Sequence, residues 1–168
     1  FLSPDRPYQS LLVASAIPRE GKTTISCSLA IALAQSGQRV LLVDTDLRRP
    51  RVHRALGLPN DLGVSMVVSN QATLDECIQE TEVPNLWVLS SGPLPPNPAE
   101  ILHSERFREL VEKVRAKFDR IVFDSPPVLP VTDAALLGQV VDGAILVVRA
   151  MRTHREAARR AVRQLTGV

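Results

Sequence analysis

Nine residues near the start of the chain have the types and the spacing of a phosphate-binding loop. The stretch reads AIPREGKTT over residues 16–24 and follows an apolar run. In such a loop Gly21 lets the backbone approach a phosphate, the Lys22 ammonium spans neighbouring phosphates, and the Thr23 hydroxyl suits Mg²⁺. The usual pattern, G-x-x-x-x-G-K-[ST], has glycine where this chain has Ala16, a change that removes backbone freedom but none of these contacts. GKT alone is a weak indication of nucleotide binding, because so short a motif recurs by chance.

Three aspartates follow two other apolar runs, and their carboxylates can complete a site for a magnesium nucleotide. Asp44 and Asp46 follow the run RVLLV, and Asp124 follows RIVF. The carboxyl ends of parallel strands meet at one edge of a sheet, where ligands bind. Mg²⁺ prefers hard oxygen ligands, and phosphoryl transfer needs a group that orients or deprotonates the nucleophile. A lone aspartate at a strand end usually forms a turn or a helix cap, but three of them beside GKT favour a nucleotide site.

Apolar runs alternate with helical patterns along the chain. Continuous runs rich in Val, Ile and Leu are typical of strands that are covered on both faces, as in a parallel sheet. These runs predict strands at 10–15, 39–44, 86–91, 120–125 and 143–148. Helices are predicted at 22–36, at about 105–117 and from about 154, whereas segment 50–85 shows only short helical pieces. The alternation predicts an α/β fold, doubly wound, with a mostly parallel sheet and helices on both faces.

Local signals predict how several helices begin and which way one of them faces. Ser104 is a predicted N-cap, and Thr153 with Glu156 forms a predicted capping box before the last helix. Pro98 can open a short helix at the end of the proline-dense loop 91–102. The spacing of apolar residues predicts that the first helix faces the core through Ile25, Leu29, Ala32 and Leu33.

Composition indicates an ordinary soluble globular protein. The 168 residues are 45% hydrophobic and 23% charged, and no apolar run approaches the length of a membrane span. The net charge is only +2, so no strong field favours nucleic acid or a membrane. The two cysteines fit a reducing compartment and are predicted to be small buried residues. Lys22 is the only lysine in the first 112 residues of an arginine-rich chain, which suggests a specific use for its compact ammonium.

Three further motifs accompany the loop: DTDLRRP at 44–50, PPNPAEIL at 95–102, and DSPPV followed by TDA within 124–134. Together with SAIPREGKTT they resemble the bacterial tyrosine kinases of capsule and exopolysaccharide synthesis. These kinases are phosphate-loop proteins related to the MinD and ParA ATPases, so the resemblance implies a P-loop NTPase fold. It runs from about residue 10 to residue 165, and the combination of motifs is specific although the loop alone is generic.

The resemblance implies ATP- and Mg²⁺-dependent transfer of the γ-phosphate to tyrosine hydroxyls. It assigns residues 16–24 to the Walker A motif, the aspartates after the second strand to Walker A′, and Asp124 to Walker B. Thr23, Asp44 and Asp124 would hold or orient Mg²⁺ and its waters, and Lys22 would stabilise the transferring charge. Either Asp44 or Asp46 would orient or deprotonate the phenol, and the sequence does not divide these duties between them.

The predicted site can be written as two sets of residues. The predicted catalytic residues are Lys22, Asp44, Asp46 and Asp124. The predicted nucleotide-binding residues are Pro18, Arg19, Glu20, Gly21, Lys22, Thr23, Thr24 and Arg152. Arg152 is included because its guanidinium can flank the nucleotide base.

The entry to the loop distinguishes the kinases from their ATPase relatives. MinD and ParA carry a second lysine within a K-G-G-x-G-K pattern, and the corresponding residues here are Ile17, Pro18 and Arg19. The missing lysine favours a kinase, although Arg19 can replace part of its charge or can simply be exposed. Two alternatives stay open: a MinD- or ParA-like ATPase switch, and a nucleotide-binding scaffold for a membrane polysaccharide co-polymerase.

The resemblance also carries expectations about partners and chain organisation. It implies a transmembrane co-polymerase or activator segment, at the cytoplasmic face of the bacterial inner membrane, with this part of the chain soluble. The acceptor would be a tyrosine-bearing protein or the kinase's own tail in a neighbouring subunit, in a homo-oligomer. The only tyrosine is Tyr8, so residues 1–168 are expected to form one P-loop domain without the family's N-terminal helix, last strand and tyrosine tail. Arginines crowd the last twenty residues without aromatic residues, which favours a solvated helix over nucleic-acid binding.

Overall fold

A computed structural model describes residues 8–167, so residues 1–7 and Val168 of the predicted domain lie outside the described part. The strands are β1 (Ser10–Ser15), β2 (Val40–Asp44), β3 (Ile78–Glu80), β4 (Leu86–Leu89), β5 (Arg120–Asp124) and β6 (Gly143–Val147). The helices are α1 (Lys22–Gln35), α2 (Val52–Ala55), α3 (Val64–Val68), α4 (Leu74–Cys77), α5 (Pro98–His103), α6 (Glu105–Lys117), α7 (Asp133–Gly138) and α8 (Arg155–Thr166). Within this part of the chain, no helix is both long enough and apolar enough to cross a membrane.

The strands form one sheet in the order β3-β4-β2-β5-β1-β6. All neighbouring pairs are parallel except β3 and β4, which are antiparallel. Alternate residues of the central strands enter two separate apolar clusters, one on each face of the sheet: Leu41 and Val43 enter one, and Val40 and Leu42 the other. Helices supply residues to both clusters, so the predicted doubly wound, mostly parallel α/β fold is confirmed.

Strand prediction was accurate for the central strands and failed for the edge strand β3. The five predicted strands are present, and their bounds differ from the predicted ones by at most two residues. The run predicted at 86–91 ends early, at Leu89, because the next residues leave the sheet: the Ser90 carbonyl accepts the Val64 N–H group at 2.8 Å. Within 50–85, the expectation of helical pieces alone was wrong. The three residues of β3 are too few to display an alternating pattern.

The buried face of α1 differs from the predicted one. Ile25 is 42% exposed and Ala32 is exposed, whereas Leu29 and Leu33 are only partly buried. The residues that α1 buries are Lys22, Ser26, Cys27, Ala30 and Ala34. Apolar residues surround this helix on most sides, so their spacing alone does not identify one face. Small side chains at the buried positions let the helix axis lie close to the sheet.

Helix starts agree with the sequence signals in two cases and disagree in one. The Ser104 hydroxyl accepts the Phe107 N–H group at 3.2 Å, as an N-cap does, and Pro98 is the first residue of α5. The predicted capping box of Thr153 and Glu156 is wrong. Helix α8 begins one residue later than that box requires, and the Thr153 hydroxyl donates to the Glu20 carboxylate instead.

Both cysteines are free and buried, as predicted. Burial, with the charges of Asp124 and Asp44, raises the pKa of the Cys27 thiol to about 11. Burial also raises the pKa of the Cys77 thiol. Both side chains therefore act as small apolar residues of the core and not as nucleophiles.

The amino-terminal ends of β1 and β6 are joined by a polar cluster beside Tyr8. The Asp142 carboxylate accepts the Ser10 N–H group at 2.7 Å and pairs with the Arg115 guanidinium at 2.9 Å. The Tyr8 ring lies against Gly143, where an added Cβ atom would be 3.8 Å from two ring carbons. This cluster marks the edge of the sheet that lies opposite the carboxyl ends of the parallel strands.

Candidate active site

The loop between β1 and α1 turns sharply just before the helix. Gly21, the N-cap of α1, has a φ of 90°, and Arg19 has a φ of 68°. No atom lies within 4 Å of an added Cβ at Gly21, so the need for glycine there is conformational. Ala16 is fully buried and is not among the residues with positive φ, so alanine replaces the usual glycine without strain. The first N–H groups of α1 have no acceptors within the helix, which makes this end an anion site.

Glu20 holds the loop in shape from within. Its side chain is only 8% exposed, and one carboxylate oxygen accepts the Ile17 N–H group at 2.8 Å. The other oxygen accepts the hydroxyl of Thr153, which itself accepts the Arg149 N–H group at 2.9 Å. The phosphate loop is therefore tied to the loop between β6 and α8 by a buried carboxylate.

Asp124, at the end of β5, collects three donors from the first turns of α1. Its carboxylate accepts hydrogen bonds from the Lys22 ammonium at 2.7 Å, the Thr23 hydroxyl at 2.8 Å and the Ser26 hydroxyl at 2.7 Å. Asp124 is fully buried and Lys22 is 7% exposed. Sequence reasoning missed Ser26, although its position four residues after Lys22 places both on one face of the helix.

Asp44 and Asp46 are held by backbone N–H groups of the segment that follows β2. Asp44 is paired in register with Asp124 of β5. Its carboxylate accepts the N–H groups of Asp46 at 3.2 Å, Arg51 at 3.1 Å and Val52 at 3.0 Å. Among residues 8–167, the Asp46 carboxylate accepts one hydrogen bond, from the Arg49 N–H group at 3.0 Å. The segment 46–52 therefore wraps around the two carboxylates.

The site carries more buried negative than positive charge. Burial, together with the charges of Asp124 and Asp46, raises the pKa of Asp44 to about 7, although the Val52 N–H group and Lys22 oppose the rise. Two adjacent buried carboxylates thus share one buried ammonium. A divalent cation would neutralise the excess charge, and the oxygens of Thr23, Asp44 and Asp124 suit Mg²⁺.

The oxygens at this site fit a nucleotide-bound cation better than a cation held by the protein alone. Among residues 8–167, no three His, Cys, Asp or Glu side chains are grouped as a metal cluster would require. Mg²⁺ usually binds through one or two carboxylates together with phosphate oxygens and waters. The donor set of hydroxyl and carboxylate oxygens beside an anion-binding helix end agrees with that arrangement.

A second buried carboxylate fixes the segment that follows Asp46. The Arg48 guanidinium makes two hydrogen bonds to Asp133, at 2.8 and 3.0 Å, and Asp133 is fully buried at the start of α7. Thr45 adds a link within the site, because its hydroxyl donates to the Asp124 carbonyl at 2.8 Å. Sequence reasoning did not single out Asp133 or Thr45, since their partners are distant in the chain.

The remaining predicted nucleotide-binding residues lie around the loop. Pro18, Arg19 and Thr24 are exposed at its rim. Arg152 is exposed in the loop between β6 and α8, which Thr153 connects to the phosphate loop. The structure thus brings all the predicted catalytic residues into one contact network and leaves Arg152 at its border.

Comparison with known proteins agrees with this geometry. A family model described as an AAA domain matches residues 20–152. The tyrosine-protein kinase YwqD of Bacillus subtilis is 44% identical over 161 residues, which make up 96% of this chain and 68% of YwqD. The chain belongs to the bacterial tyrosine-protein kinases. The crystal structure of the chimerical protein CapA2B2 matches this kinase chain with a TM-score of 0.95 at 35% identity, covering 98% of this chain and 73% of that one.

The kinase chain also resembles MinD, as the sequence indicated. The septum site-determining protein MinD of Pyrococcus horikoshii, solved with Mg-ADP, matches with a TM-score of 0.71 at 26% identity. That match covers 83% of this chain and 57% of MinD. Longer tyrosine-protein kinases match as well, and the chain spans 20% of one from Acinetobacter johnsonii. Family, fold class and the relationship to MinD are therefore confirmed.

Proposed function

We propose that this chain is the ATP- and Mg²⁺-dependent unit that transfers phosphate to protein tyrosines in the control of capsular polysaccharide or exopolysaccharide synthesis and export. The observation that carries the proposal is the network of Lys22 and Thr23 on Asp124, with Asp44 and Asp46 beside it, at the anion-binding end of α1. The relatives named as tyrosine-protein kinases supply the acceptor chemistry.

In this proposal, the phosphate loop binds the nucleotide and α1 supplies the charge. The N–H groups at the start of α1 bind phosphate oxygens, and the Lys22 ammonium stabilises negative charge on the transferring group. Thr23, Asp44 and Asp124 would hold the metal ion. When bound, Mg²⁺ neutralises phosphate charge and orients the phosphates for in-line transfer.

The two aspartates after β2 are assigned different roles. Asp44 is fully buried and accepts three N–H groups, which suits a fixed ligand of the metal. Asp46 is also buried, but within the described part of the chain its carboxylate accepts one N–H group, at Oδ1, which leaves Oδ2 for a substrate donor. We assign Asp46 to the tyrosine hydroxyl, whose proton it accepts or orients.

The remaining assignments concern the nucleotide base, the phosphate acceptor and the membrane partner. Arg152 flanks the nucleotide base, because its loop is tied to the phosphate loop through Thr153 and Glu20. The acceptor is a tyrosine on another protein or on another copy of the full-length kinase. A transmembrane co-polymerase or activator segment brings the kinase to the cytoplasmic face of the inner membrane, in agreement with the longer relatives that contain a similar region.

The test is phosphorylation of a tyrosine-rich peptide by the chain with labelled ATP and Mg²⁺. We expect phosphotyrosine with the wild type and a loss of at least about 100-fold for Lys22→Met, since that variant removes the ammonium from the phosphates. Lys113→Met is the matched control, because Lys113 is exposed on α6, which leads into the amino-terminal end of β5, whereas Asp124 lies at the carboxyl end of that strand. Phosphate release without phosphotyrosine would instead support a MinD-like ATPase, and ATP binding with neither product would support a scaffold.

A further inference from the structure

Beside the aspartates lies a cleft of about 440 Å³ whose side chains have no role in the proposed phosphoryl transfer. One wall is formed by residues 48–51, 53 and 54, which follow β2. The other is formed by Asn60 and by residues 92–94, which follow β4. Since β2 and β4 are parallel neighbours, both walls rise from the same edge of the sheet as the candidate active site.

The first wall is strongly cationic. Its charged side chains are Arg48, Arg49, Arg51 and Arg54, and no acidic residue lines the cleft. Arg48 is paired with Asp133. The other three are exposed, and none forms an ion pair with a carboxylate in the part of the chain that the structure describes. Unpaired guanidinium groups on one wall suit a phosphate, which they bind through two parallel hydrogen bonds.

The second wall is apolar and firmly held. Leu94 is 61% exposed and lies next to Pro93, so both residues offer apolar surface to the cleft. The Asn60 side chain fixes this wall, because it accepts the Gly92 N–H group at 3.0 Å and donates to the Gly92 carbonyl at 3.1 Å. An apolar wall opposite a cationic one fits a ligand that has an aromatic ring and a phosphate on the same side chain.

The cationic wall adjoins the proposed acceptor site through the backbone. The Arg49 N–H group donates to Asp46 at 3.0 Å, and the Arg51 N–H group donates to Asp44 at 3.1 Å. A side chain in the cleft is therefore close to a tyrosine that approaches Asp46. One extended peptide can supply both, because adjacent residues of an extended chain are only about 3.3 Å apart along its axis.

We propose that this cleft binds a phosphotyrosine side chain of the acceptor peptide while another tyrosine of that peptide occupies the active site. The guanidinium groups of Arg49, Arg51 and Arg54 bind the phosphate, and Leu94 with Pro93 contacts the ring. This proposal rests on the proposed function, because only a tyrosine kinase generates that ligand at this place. Its consequence is that one phosphorylation favours the next on a peptide with several tyrosines.

The first experiment measures binding of a fluorescent nine-residue peptide with one phosphotyrosine to the full chain by polarisation. We expect the same peptide with phosphoserine, glutamate or unmodified tyrosine to bind at least about 10-fold more weakly, since each lacks the ring or the dianion. Inorganic phosphate, which has no ring, should compete poorly. Equal binding of the phosphoserine peptide would overturn the proposal, because a purely electrostatic surface would not distinguish the two.

Two variants locate the binding. The triple variant Arg49→Gln, Arg51→Gln, Arg54→Gln should weaken binding at least about 10-fold. A control with the same change in charge is Arg159→Gln, Arg160→Gln, Arg163→Gln, which alters exposed residues of α8. If both triple variants lost the same affinity for the phosphotyrosine peptide, the effect would come from net charge, and the proposed site would be wrong.

Leu94→Ser tests the ring contact without a change in charge. It should weaken binding of the phosphotyrosine peptide alone, so unchanged binding would contradict the apolar wall.

The two proposals fail in different ways. A chain that forms phosphotyrosine from ATP but does not bind the phosphotyrosine peptide would overturn the cleft and leave the proposed function intact. Conversely, a chain that binds the peptide but never forms phosphotyrosine would overturn the proposed function, and with it the origin of the ligand.

Discussion

At the scale of single residues, Asp44 shows that the site contains unfavourable electrostatic interactions. It is fully buried and lies beside the equally buried Asp124, and its three backbone N–H bonds and the Lys22 ammonium offset its charge only in part. Such a pair lowers the stability of the nucleotide-free protein, because water no longer solvates either carboxylate. The arrangement suits a site in which a cation and phosphates later supply the missing balance.

We therefore expect Asp44→Asn to stabilise the chain in EDTA at pH 8, by about 2 kcal/mol, while abolishing phosphotyrosine formation. The pKa of Asp44 rises from 3.8 to about 7 on folding, so the folded chain binds a proton that the unfolded chain releases between those values. The contribution of this proton to the free energy of unfolding of the wild type is therefore highest below this range of pH, and it falls as the pH rises from 3.8 to about 7.

Urea unfolding at pH 5 and pH 8 measures the effect. The wild type should lose stability between these pH values and Asp44→Asn should lose less, because asparagine does not ionise. Asp61→Asn is the control, since Asp61 is exposed. If Asp44→Asn and Asp61→Asn have the same stability at pH 8, the buried charge is not a cost to the fold.

At the scale of elements, the hydrogen bond from Thr153 to Glu20 connects two loops that leave adjacent strands. β1 leads into the phosphate loop and β6 leads into the loop with Arg152, and the two strands are parallel neighbours. Glu20 also accepts the Ile17 N–H group, so the carboxylate shapes the phosphate loop and anchors its neighbour at once. Binding of phosphates and binding of the base are expected to depend on this one buried group.

Thr153→Val removes the hydrogen bond to Glu20 and the one from the Arg149 N–H group, and it should therefore weaken ATP binding about five-fold, which corresponds to about 1 kcal/mol. The change keeps the size of the side chain and removes the hydroxyl that Glu20 accepts. Titration of a fluorescent ATP analogue measures the dissociation constant. Thr166→Val is the control, because that hydroxyl donates at 3.0 Å to Val162 of its own helix. Equal affinities for both variants would show that the two loops act independently.

The elements also show why sequence reasoning succeeded in some places and failed in others. Continuous apolar runs predicted the central strands, and the aspartates at their ends were correctly expected to meet, because parallel strands end at one edge. The capping box at Thr153 failed because the hydroxyl oxygen accepts the Arg149 N–H group, while its proton is donated to the distant Glu20. Ser26 and Asp133 were missed for a similar reason. Their main partners are far away in the sequence, and the only local sign was that Ser26 shares a helix face with Lys22.

At the scale of the whole molecule, the only tyrosine of the sequence lies at the edge of the sheet opposite the active site. Tyr8 packs against Gly143 at the amino-terminal ends of β1 and β6, whereas the phosphate loop follows the carboxyl end of β1. The six residues of β1 separate the two edges by about 20 Å. The folded chain therefore cannot place the Tyr8 hydroxyl at Asp46.

Any phosphate found on Tyr8 should consequently come from a second molecule. Its rate of formation should rise with the square of the protein concentration, which mass spectrometry of the Tyr8 peptide can follow over a dilution series. Tyr8→Phe should leave phosphorylation of an added tyrosine peptide unchanged, because the side chain is remote from the site. A Tyr8 phosphorylation rate that is first order in protein would contradict the transfer between molecules.

The two buried thiols have a practical consequence for such measurements. Because the pKa of Cys27 is raised to about 11 and that of Cys77 is also raised, neither forms appreciable thiolate at neutral pH. A maleimide dye will therefore react with an added surface cysteine in preference to either native one. With Leu94→Cys, a single reporter can be attached to the wall of the arginine cleft, and the native cysteines need no replacement.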